Sequence, residues 1–153
     1  MTVSESKRKA KPIVFAQEIS TRKLSKFWDG VDKGKVYASK CSKCGRLSFP
    51  PTCDCPLCLQ SEIEWVELEG KGVVETFTKI MVRPASFSNC EPYVVVVAIM
   101  NEGVKILAWL TGAELSDVKL GAEVRLVTKG SQNDPPYSFI LCPSNEEEHH
   151  AAS

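Results

Sequence analysis

The spacing of apolar residues changes along the chain and divides it into segments of different structure. Near the start, apolar residues recur three and four positions apart, which is the spacing of one face of an α-helix. These residues are Leu24, Phe27, Trp28 and Val31. Ser20 or Thr21 can cap such a helix, and Gly34 can end it. The pattern therefore predicts an N-terminal helix within residues 18–34.

After residue 34 the apolar spacing shortens to two, the period of a β-strand. A weak alternation at 35–39 leads into a cysteine-rich segment, and 63–68 alternates clearly. The remaining strand segments are 72–82, 93–100, 104–110, 123–128 and 137–142. Residues 101–103 (Asn-Glu-Gly) predict a hairpin turn, and 113–118 a short helix or turn. The predicted fold is mainly β, with a five-stranded antiparallel barrel of the OB type over residues 70–143.

The two ends of the chain lack this periodicity. Residues 1–17 contain the charged run SESKRKAK and a proline, and residues 144–153 are polar and acidic. Because such segments cannot bury enough apolar surface to fold, we expect a flexible arm and a disordered tail. The longest apolar run, 93–100, is too short to cross a bilayer, and residues 1–11 lack the apolar stretch of a secretion signal. We therefore expect a cytoplasmic protein.

Four of the seven cysteines form two closely spaced pairs. Cys41 and Cys44 belong to the sequence CSKCG, and Cys55 and Cys58 belong to CPLC. Two residues between paired cysteines allow both thiolates of a tight turn, or knuckle, to face one metal ion. Two knuckles supply four sulfur ligands and leave no open position for water or substrate. The spacing predicts a structural metal site in residues 35–69, a segment too poor in apolar residues to form its own core.

Tetrahedral sulfur coordination suits zinc, but the same two sequences are also typical of rubredoxin-type iron sites. We favour zinc because nothing else in the sequence indicates electron transfer. A thioredoxin-like redox use of one pair is disfavoured, since that motif opens a helix in a strand–helix unit and no such unit is predicted. Three cysteines remain outside the pairs, Cys53, Cys90 and Cys142, and we interpret them as free thiols.

The side chains that support catalysis are scarce in the predicted fold. The only two histidines, His149 and His150, stand in the polar C-terminal segment. The fold therefore offers no Ser–His or Cys–His pair and no histidine ligand for a metal. Acidic residues are present near the helix and the strand at 63–68, but the pattern places no two of them on opposite sides of a substrate. We expect the isolated chain to be inactive as an enzyme.

The 153-residue chain carries 19 basic and 19 acidic residues, which gives a formal net charge of zero. Dedicated nucleic-acid-binding proteins normally carry a basic excess that contacts phosphates, so this balance disfavours that class. A nucleic-acid-binding module stays the alternative, because zinc ribbons and OB barrels both occur in such proteins. Its candidate contacts are four basic residues near the first cysteine pair: Lys35, Lys40, Lys43 and Arg46.

Apolar and aromatic residues on the helix and between the cysteine pairs are candidates for docking on a partner protein. They are Phe27, Trp28, Phe49, Pro50 and Pro51. The alternative interpretation is that these residues cover the chain's own core, since a helix with one apolar stripe normally packs on its own domain.

The order of these motifs resembles that of the domain-of-unknown-function-35 family, acyl-CoA-associated proteins with a zinc ribbon and an OB fold. The resemblance covers about residues 20–142. Its motifs are FWDG at 27–30, GKV at 34–36, CSKCGR at 41–46, FPP at 49–51, CPLC at 55–58, WVEL at 65–68, GKGVV at 70–74, FT at 77–78, PYVV at 92–95 and GAEV at 121–124. Two positions depart from the family pattern: Leu59 stands where a glycine often follows the second pair, and Thr52 where an arginine usually follows the two prolines.

The resemblance implies a rubredoxin-like zinc ribbon packed on an OB-fold barrel, with Cys41, Cys44, Cys55 and Cys58 as the ligands. Members of the family are usually non-catalytic partners of thiolase-superfamily enzymes, and related domains join hydratase-fold partners that act on acyl-CoA. The resemblance therefore implies an accessory subunit of a hetero-oligomeric complex. Such a subunit docks on the enzyme and helps to shape the channel taken by the pantetheine arm of CoA.

Overall fold

The computed structural model of the protein describes residues 22–82, 87, 90–131 and 135–142. The predicted arm, the capping residues Ser20 and Thr21, both histidines and the predicted tail lie outside the described residues. No helix in the described part of the chain is long and apolar enough to span a membrane.

A short helix opens the described chain because one of its faces is apolar. A 3-10 turn at Arg22–Leu24 leads into helix α1, Ser25–Asp32. Phe27 and Val31 are buried and Trp28 is half-buried, which confirms the predicted apolar stripe. Because a helix of this length is not stable alone, packing of the stripe against the following strand must hold it in place.

The cysteine-rich segment contains a three-stranded antiparallel sheet. Its strands are β1 (Val36–Cys41), β2 (Leu47–Ser48) and β3 (Ile63–Leu68), in the order β2-β1-β3. β3 has the predicted bounds, whereas β1 continues past the predicted 35–39 as far as the first cysteine of the first pair. The sequence pattern does not predict β2, because two residues are too few to show a period.

The second half of the chain forms a closed five-stranded barrel, as predicted. Its strands are β4 (Lys71–Ile80), β5 (Tyr93–Met100), β6 (Lys105–Leu110), β7 (Glu123–Thr128) and β8 (Tyr137–Leu141). A 3-10 turn, Leu115–Asp117, stands between β6 and β7, where the sequence predicts a helical insert. The order around the barrel is β4-β5-β6-β8-β7, the closed arrangement of an OB-type fold.

The barrel is mixed, and the expectation of an antiparallel barrel was wrong at one pairing. β8 lies parallel to β6, with Trp109 beside Ser138 and Leu110 beside Phe139, while the other neighbouring pairs are antiparallel. The reason is topological. Strands that alternate in direction around a closed ring must be even in number, so a ring of five needs at least one parallel pair.

One hydrophobic core runs from α1 and β1 into the barrel. Every second residue of β5 points inward, so that Val96 and Ala98 are fully buried, and Phe139 of β8 is buried in the same core. Phe27 and Val31 of α1 belong to this core as well. Because the ribbon and the barrel share a core, the position of one is coupled to the position of the other.

Aromatic rings and one carboxylate join α1 and the ribbon to the barrel. The ring centroid of Phe27 lies 6.0 Å from that of Phe49 and 6.3 Å from that of Tyr137. The rings meet edge to face, a geometry that aromatic pairs prefer. At the end of α1, Asp32 accepts hydrogen bonds from the backbone N–H (2.7 Å) and the hydroxyl (2.9 Å) of Ser131, between β7 and β8. These contacts hold the Phe49 loop over the start of β8.

Candidate metal centre

The four paired cysteines meet at one point of the ribbon. Their Sγ atoms all lie within 4.8 Å of one another, and Cys41–Cys58 and Cys44–Cys55 are each separated by 3.5 Å. A tetrahedral zinc or iron ion with metal–sulfur bonds of about 2.3 Å places its sulfurs about 3.8 Å apart. The donor set therefore fits a tetrahedral metal ion with all four positions filled by the protein. The set is the only group of three or more potential ligand residues found within the described ranges.

Each pair is held in a knuckle by two backbone hydrogen bonds. In the first knuckle, Gly45 donates its N–H to the carbonyl of Cys41 and Cys41 donates its own to the carbonyl of residue 46, both at 2.9 Å. In the second, Leu59 donates to the carbonyl of Cys55 at 2.9 Å, and Cys55 donates to the carbonyl of Gln60 at 2.8 Å. The same local geometry is thus built twice, and it directs four sulfurs toward one point.

Hydrogen bonding and burial shift the thiol pKa values in opposite directions within each knuckle. The backbone N–H groups of Cys58 and of the residue before it point at Cys55 and lower its pKa to about 6. The backbone N–H of Gln60 also lowers the pKa of Cys58. Burial and hydrogen bonds to the other sulfurs outweigh this effect and raise the pKa of Cys58 to about 11.

In the first knuckle the backbone N–H of Cys44 lowers the pKa of Cys41. The backbone N–H of residue 46 acts in the same direction on Cys44, but burial and the sulfurs of Cys55 and Cys41 outweigh it and raise the pKa of Cys44. Sulfurs this close repel one another when ionised. A divalent cation favours the ionised form of all four, and this is the chemistry that the cluster suits.

A buried serine anchors the segment between the two knuckles to the sheet. Ser39 lies in β1 with 2% of its surface exposed, and its hydroxyl accepts the backbone N–H of Thr52 at 2.9 Å. The side chain of Thr52 takes no part in this bond, so the departure from the family pattern at that position leaves the anchor intact. Sequence reasoning passes over Ser39 because a serine in a weakly alternating strand carries no distinctive signal.

The three remaining cysteines lie outside the sulfur cluster. Cys53, Cys90 and Cys142 are each partly exposed thiols. Cys53 stands two residues before Cys55, but it is not a member of the group that can share a metal ion. Cys53 is therefore close to the four clustered sulfurs along the chain but lies outside their cluster.

The predicted docking residues differ widely in exposure. Phe27, with 4% of its surface exposed, and Pro51 are buried, so their side chains belong to the chain's own packing. Trp28 and Phe49 are half-buried, and Pro50, which follows Phe49 through a cis peptide bond, is exposed. Docking on a partner stays a prediction, and the exposed and half-buried members are the ones whose surfaces a partner can reach.

A groove opens where the Phe49 loop meets the barrel. It has a volume of about 390 Å³ and is lined by Phe49, Pro50, Val97, Lys105, Leu107 and Tyr137. The barrel residues of this lining were not anticipated from the sequence. The uninterrupted apolar run at 93–100 could have indicated them, because it makes both faces of β5 apolar.

One of the four basic residues near the first knuckle is neutralised by a carboxylate. The Nζ of Lys35 lies 2.9 Å from Oε2 of Glu67 and donates a hydrogen bond to it. This bond and the charge of Glu67 raise the pKa of Lys35. The contact reduces the positive charge that Lys35 can offer to a phosphate backbone.

A small sheet with a four-sulfur centre, followed by a closed five-stranded barrel, defines the class of zinc-ribbon and OB-fold proteins. The family model of the ChsH2 rubredoxin-like zinc ribbon domain matches residues 28–64, and that of the ChsH2 C-terminal OB-fold domain matches residues 65–129. The chain belongs to the DUF35 family of such proteins, which confirms the resemblance seen in the sequence motifs.

Individual relatives agree with this assignment. A DUF35 domain-containing scaffold protein of Pyrococcus furiosus is 35% identical over 107 residues, which cover 69% of this chain and 78% of the relative. The benzoylsuccinyl-CoA thiolase subunit BbsA of Thauera aromatica is 34% identical over 74 residues, or 48% of this chain and 50% of the relative. A solved Ltp2-ChsH2(DUF35) aldolase structure has the same fold, with a TM-score of 0.64 at 21% identity, covering 83% of this chain and 98% of the matched chain.

Proposed function

We propose that the chain is a non-catalytic accessory subunit of a thiolase-superfamily complex that acts on acyl-CoA. The observation that carries this proposal is its similarity to BbsA, a protein named as a thiolase subunit, within a family whose Pyrococcus furiosus member is named a scaffold protein. The metal centre fits the same role. Because all four coordination positions are filled by cysteine sulfur, a bound ion has no site for substrate and supports the fold instead.

In this role the chain docks on the enzyme through the accessible predicted residues, Trp28, Phe49 and Pro50. The buried ring of Phe27 packs edge to face against the rings of Trp28 and Phe49. Docking adds a wall of protein beside the active site of the enzyme and helps to form the channel for the pantetheine arm of CoA. The partner supplies the catalytic residues, and this chain contributes part of the channel wall.

We further propose that the ion is zinc. Four thiolates arranged around one point suit tetrahedral zinc or iron. We favour zinc because a structural centre needs no change of oxidation state. Metal analysis of the purified chain by mass spectrometry should give one zinc per chain, and the protein should be colourless. A red protein with one iron per chain would refute zinc while leaving the four-sulfur site in place.

The accessory role is tested with the thiolase-superfamily enzyme of the same organism, produced alone and together with this chain. We expect the two to elute as one stoichiometric complex in size-exclusion chromatography, and the enzyme to turn over its acyl-CoA substrate faster in the complex than alone, whether it forms or cleaves the carbon–carbon bond. The isolated chain should show no acyl transfer. Separate elution of the two proteins, or activity of the isolated chain, would contradict the proposal.

The nucleic-acid-binding alternative is tested by fluorescence polarisation with labelled single-stranded DNA and RNA. Lys35 is already paired with Glu67, and the chain has no net positive charge, so we expect no binding at physiological salt. Salt-sensitive binding that weakens when Lys40 and Lys43 are both replaced by glutamine would favour the alternative.

A further inference from the structure

Strand β5 is apolar on both of its faces. All eight of its residues are apolar or aromatic (YVVVVAIM), and buried positions alternate with half-buried ones. The buried set fills the barrel, and the half-buried set, Tyr93, Val95, Val97 and Ile99, points away from it. A barrel strand that covers only its own core normally carries polar residues on the outside. The outside of β5 therefore has the composition of a covered surface.

The neighbouring strand extends this apolar surface. The β5–β6 register places Trp109 beside Val95 and Leu107 beside Val97. Leu107 is 64% exposed, although it is a large aliphatic residue in the middle of a strand. The rings of Tyr93 and Trp109 stack with centroids 4.0 Å apart and planes 16° apart. We refer to Tyr93, Val95, Val97, Ile99, Leu107 and Trp109 as the outer β5–β6 face.

The outer β5–β6 face continues into the groove beside the ribbon. Val97 and Leu107 belong to the face and also line the groove, whose opposite wall is Phe49 and Pro50. Tyr137 closes the groove and packs against Phe49, with ring centroids 5.5 Å apart. Phe49 and Pro50, two of the residues predicted for docking from the sequence, thus meet the outward barrel residues Val97 and Leu107 in one groove between the ribbon and the barrel.

The charges at this surface disfavour a polyanion as its occupant. The cation that borders the groove, Lys105, forms an ion pair with Glu75 at 2.5 Å. A surface of aliphatic and aromatic side chains whose bordering lysine is already paired offers little to a phosphate backbone, but it suits the apolar centre of a protein interface. Leu107 is the exposed member of this face, whereas Tyr93 and Trp109 are half-buried and pack against Phe87 of the same chain. An exposed apolar residue that continues into an apolar groove is typical of a protein interaction site.

We propose that the outer β5–β6 face, together with the groove between Phe49 and Leu107, is the surface covered by the thiolase-superfamily subunit. This inference rests on the proposed function, and the relative named as a thiolase subunit supports that enzyme over a second copy of this chain as the occupant. The partner presents an apolar segment, with one aliphatic or aromatic side chain entering the groove. The contact buries Leu107 and the outward side chains of β5.

The test compares Leu107→Asp with Leu120→Asp, in complexes with the purified thiolase-superfamily enzyme of the same organism. Leu120 is 70% exposed, stands just before β7 and lies outside the proposed surface, so it is a control of matched size and exposure. Calorimetric titration should show at least about a 30-fold weaker affinity for Leu107→Asp, the loss expected at the centre of an interface, and less than about a twofold change for Leu120→Asp. Both variants should keep the melting temperature and the metal content of the wild type.

Hydrogen exchange of the wild-type complex gives a second measurement that needs no variant. We expect slower amide exchange in peptides covering residues 93–110 when the enzyme is bound. If the wild type binds but Leu107→Asp binds equally well and these peptides are unprotected, this inference fails while the accessory role stands. If the wild type does not bind the enzyme, both fail. A concentration-dependent dimer that Leu107→Asp dissociates would assign the surface to a second copy and would also overturn the inference.

Discussion

Leu59 occupies in the second knuckle the place that Gly45 occupies in the first. Each donates its backbone N–H to the carbonyl of the first cysteine of its knuckle at 2.9 Å, and each has a positive φ, 57° for Leu59 and 72° for Gly45. Glycine adopts this left-handed conformation without penalty, but the Cβ of leucine crowds its own carbonyl there. The hydrogen bond that closes the knuckle therefore holds Leu59 in a strained conformation.

Replacing Leu59 by glycine should stabilise the protein. The left-handed conformation costs a leucine roughly 1–2 kcal/mol, and the greater freedom of glycine in the unfolded chain takes back about half of that. Little packing is lost because Leu59 is 82% exposed. We expect the free energy of unfolding to rise by about 0.5–1 kcal/mol in urea titrations at fixed zinc concentration.

The matched control for this change is Leu57→Gly in the same knuckle. Leu57 is also exposed, at 66%, but it has no positive φ. Glycine at that position removes no strain and adds freedom to the unfolded chain, so the free energy of unfolding should stay the same or fall. Equal gains in the two variants would show that the effect does not come from the backbone conformation of Leu59.

Metal binding should depend on which cysteine is replaced and not on how many thiols remain. Cys55→Ser removes a buried sulfur from the cluster, and we expect the variant to lose the metal and the protection of β1 and β3 from hydrogen exchange. Cys53→Ser removes a thiol two residues away that lies outside the cluster, so it should keep one metal ion per chain. Metal analysis and thermal unfolding check both variants. Loss of the metal from Cys53→Ser would contradict the assignment of the four ligands.

The two knuckles could be predicted from the sequence because the residues that form each of them are close along the chain. Each knuckle closes within a few residues, so the two cysteine spacings already specify the ligand geometry. The bounds of β5 and β7 were predicted for a similar reason, since the period of a strand is contained in the strand itself. β2 has only two residues, and its existence depends on pairing with β1.

Relationships between distant segments could not be predicted in this way. The sequence shows that Leu107 is apolar, but only its register opposite Val97 places it on the outside of the barrel. The contact between Phe49 and Tyr137 requires the barrel to close with β8 next to β6. The parallel pairing itself follows from the odd number of strands, which is a property of the whole ring and of no single strand.

Gly72 should tolerate no larger residue, because the backbone of β5 passes directly over it. A Cβ at this position would lie 2.6 Å from the carbonyl oxygen of Ile99 and 3.0 Å from the sulfur of Met100. Since the nearer atom belongs to the backbone, it cannot move aside without disturbing the β4–β5 pairing. We expect Gly72→Ala to lower the free energy of unfolding by about 1–3 kcal/mol in urea titrations.

Val73→Ala provides the comparison in the adjacent position of β4. Val73 is 42% exposed, and its truncation leaves the β5 backbone untouched, so its cost should stay below about 1 kcal/mol. If Gly72→Ala were as stable as the wild type, the close approach of β4 and β5 would have to be relieved by movement of the strands. Hydrogen exchange of residues 71–80 would then increase in the variant.

The hydroxyl of Tyr137 should make stability fall at high pH. Burial raises its pKa above the ordinary value of about 10, because the half-buried ring disfavours the charged phenolate. Well below pH 10 the hydroxyl is protonated in both the folded and the unfolded chain, so this group adds no pH dependence to stability there. Above pH 10 the unfolded chain loses this proton first, and stability falls as the pH rises through the folded pKa.

Tyr137→Phe removes this titration and keeps the ring that packs on Phe27 and Phe49. Urea unfolding of both proteins at about pH 9 and about pH 11 should therefore show a smaller loss of stability for the variant over this interval. Other groups titrate in the same range, but they are common to both proteins and cancel in the difference. Parallel pH profiles for the wild type and Tyr137→Phe would mean that the hydroxyl is solvated in the folded protein, which would contradict this prediction.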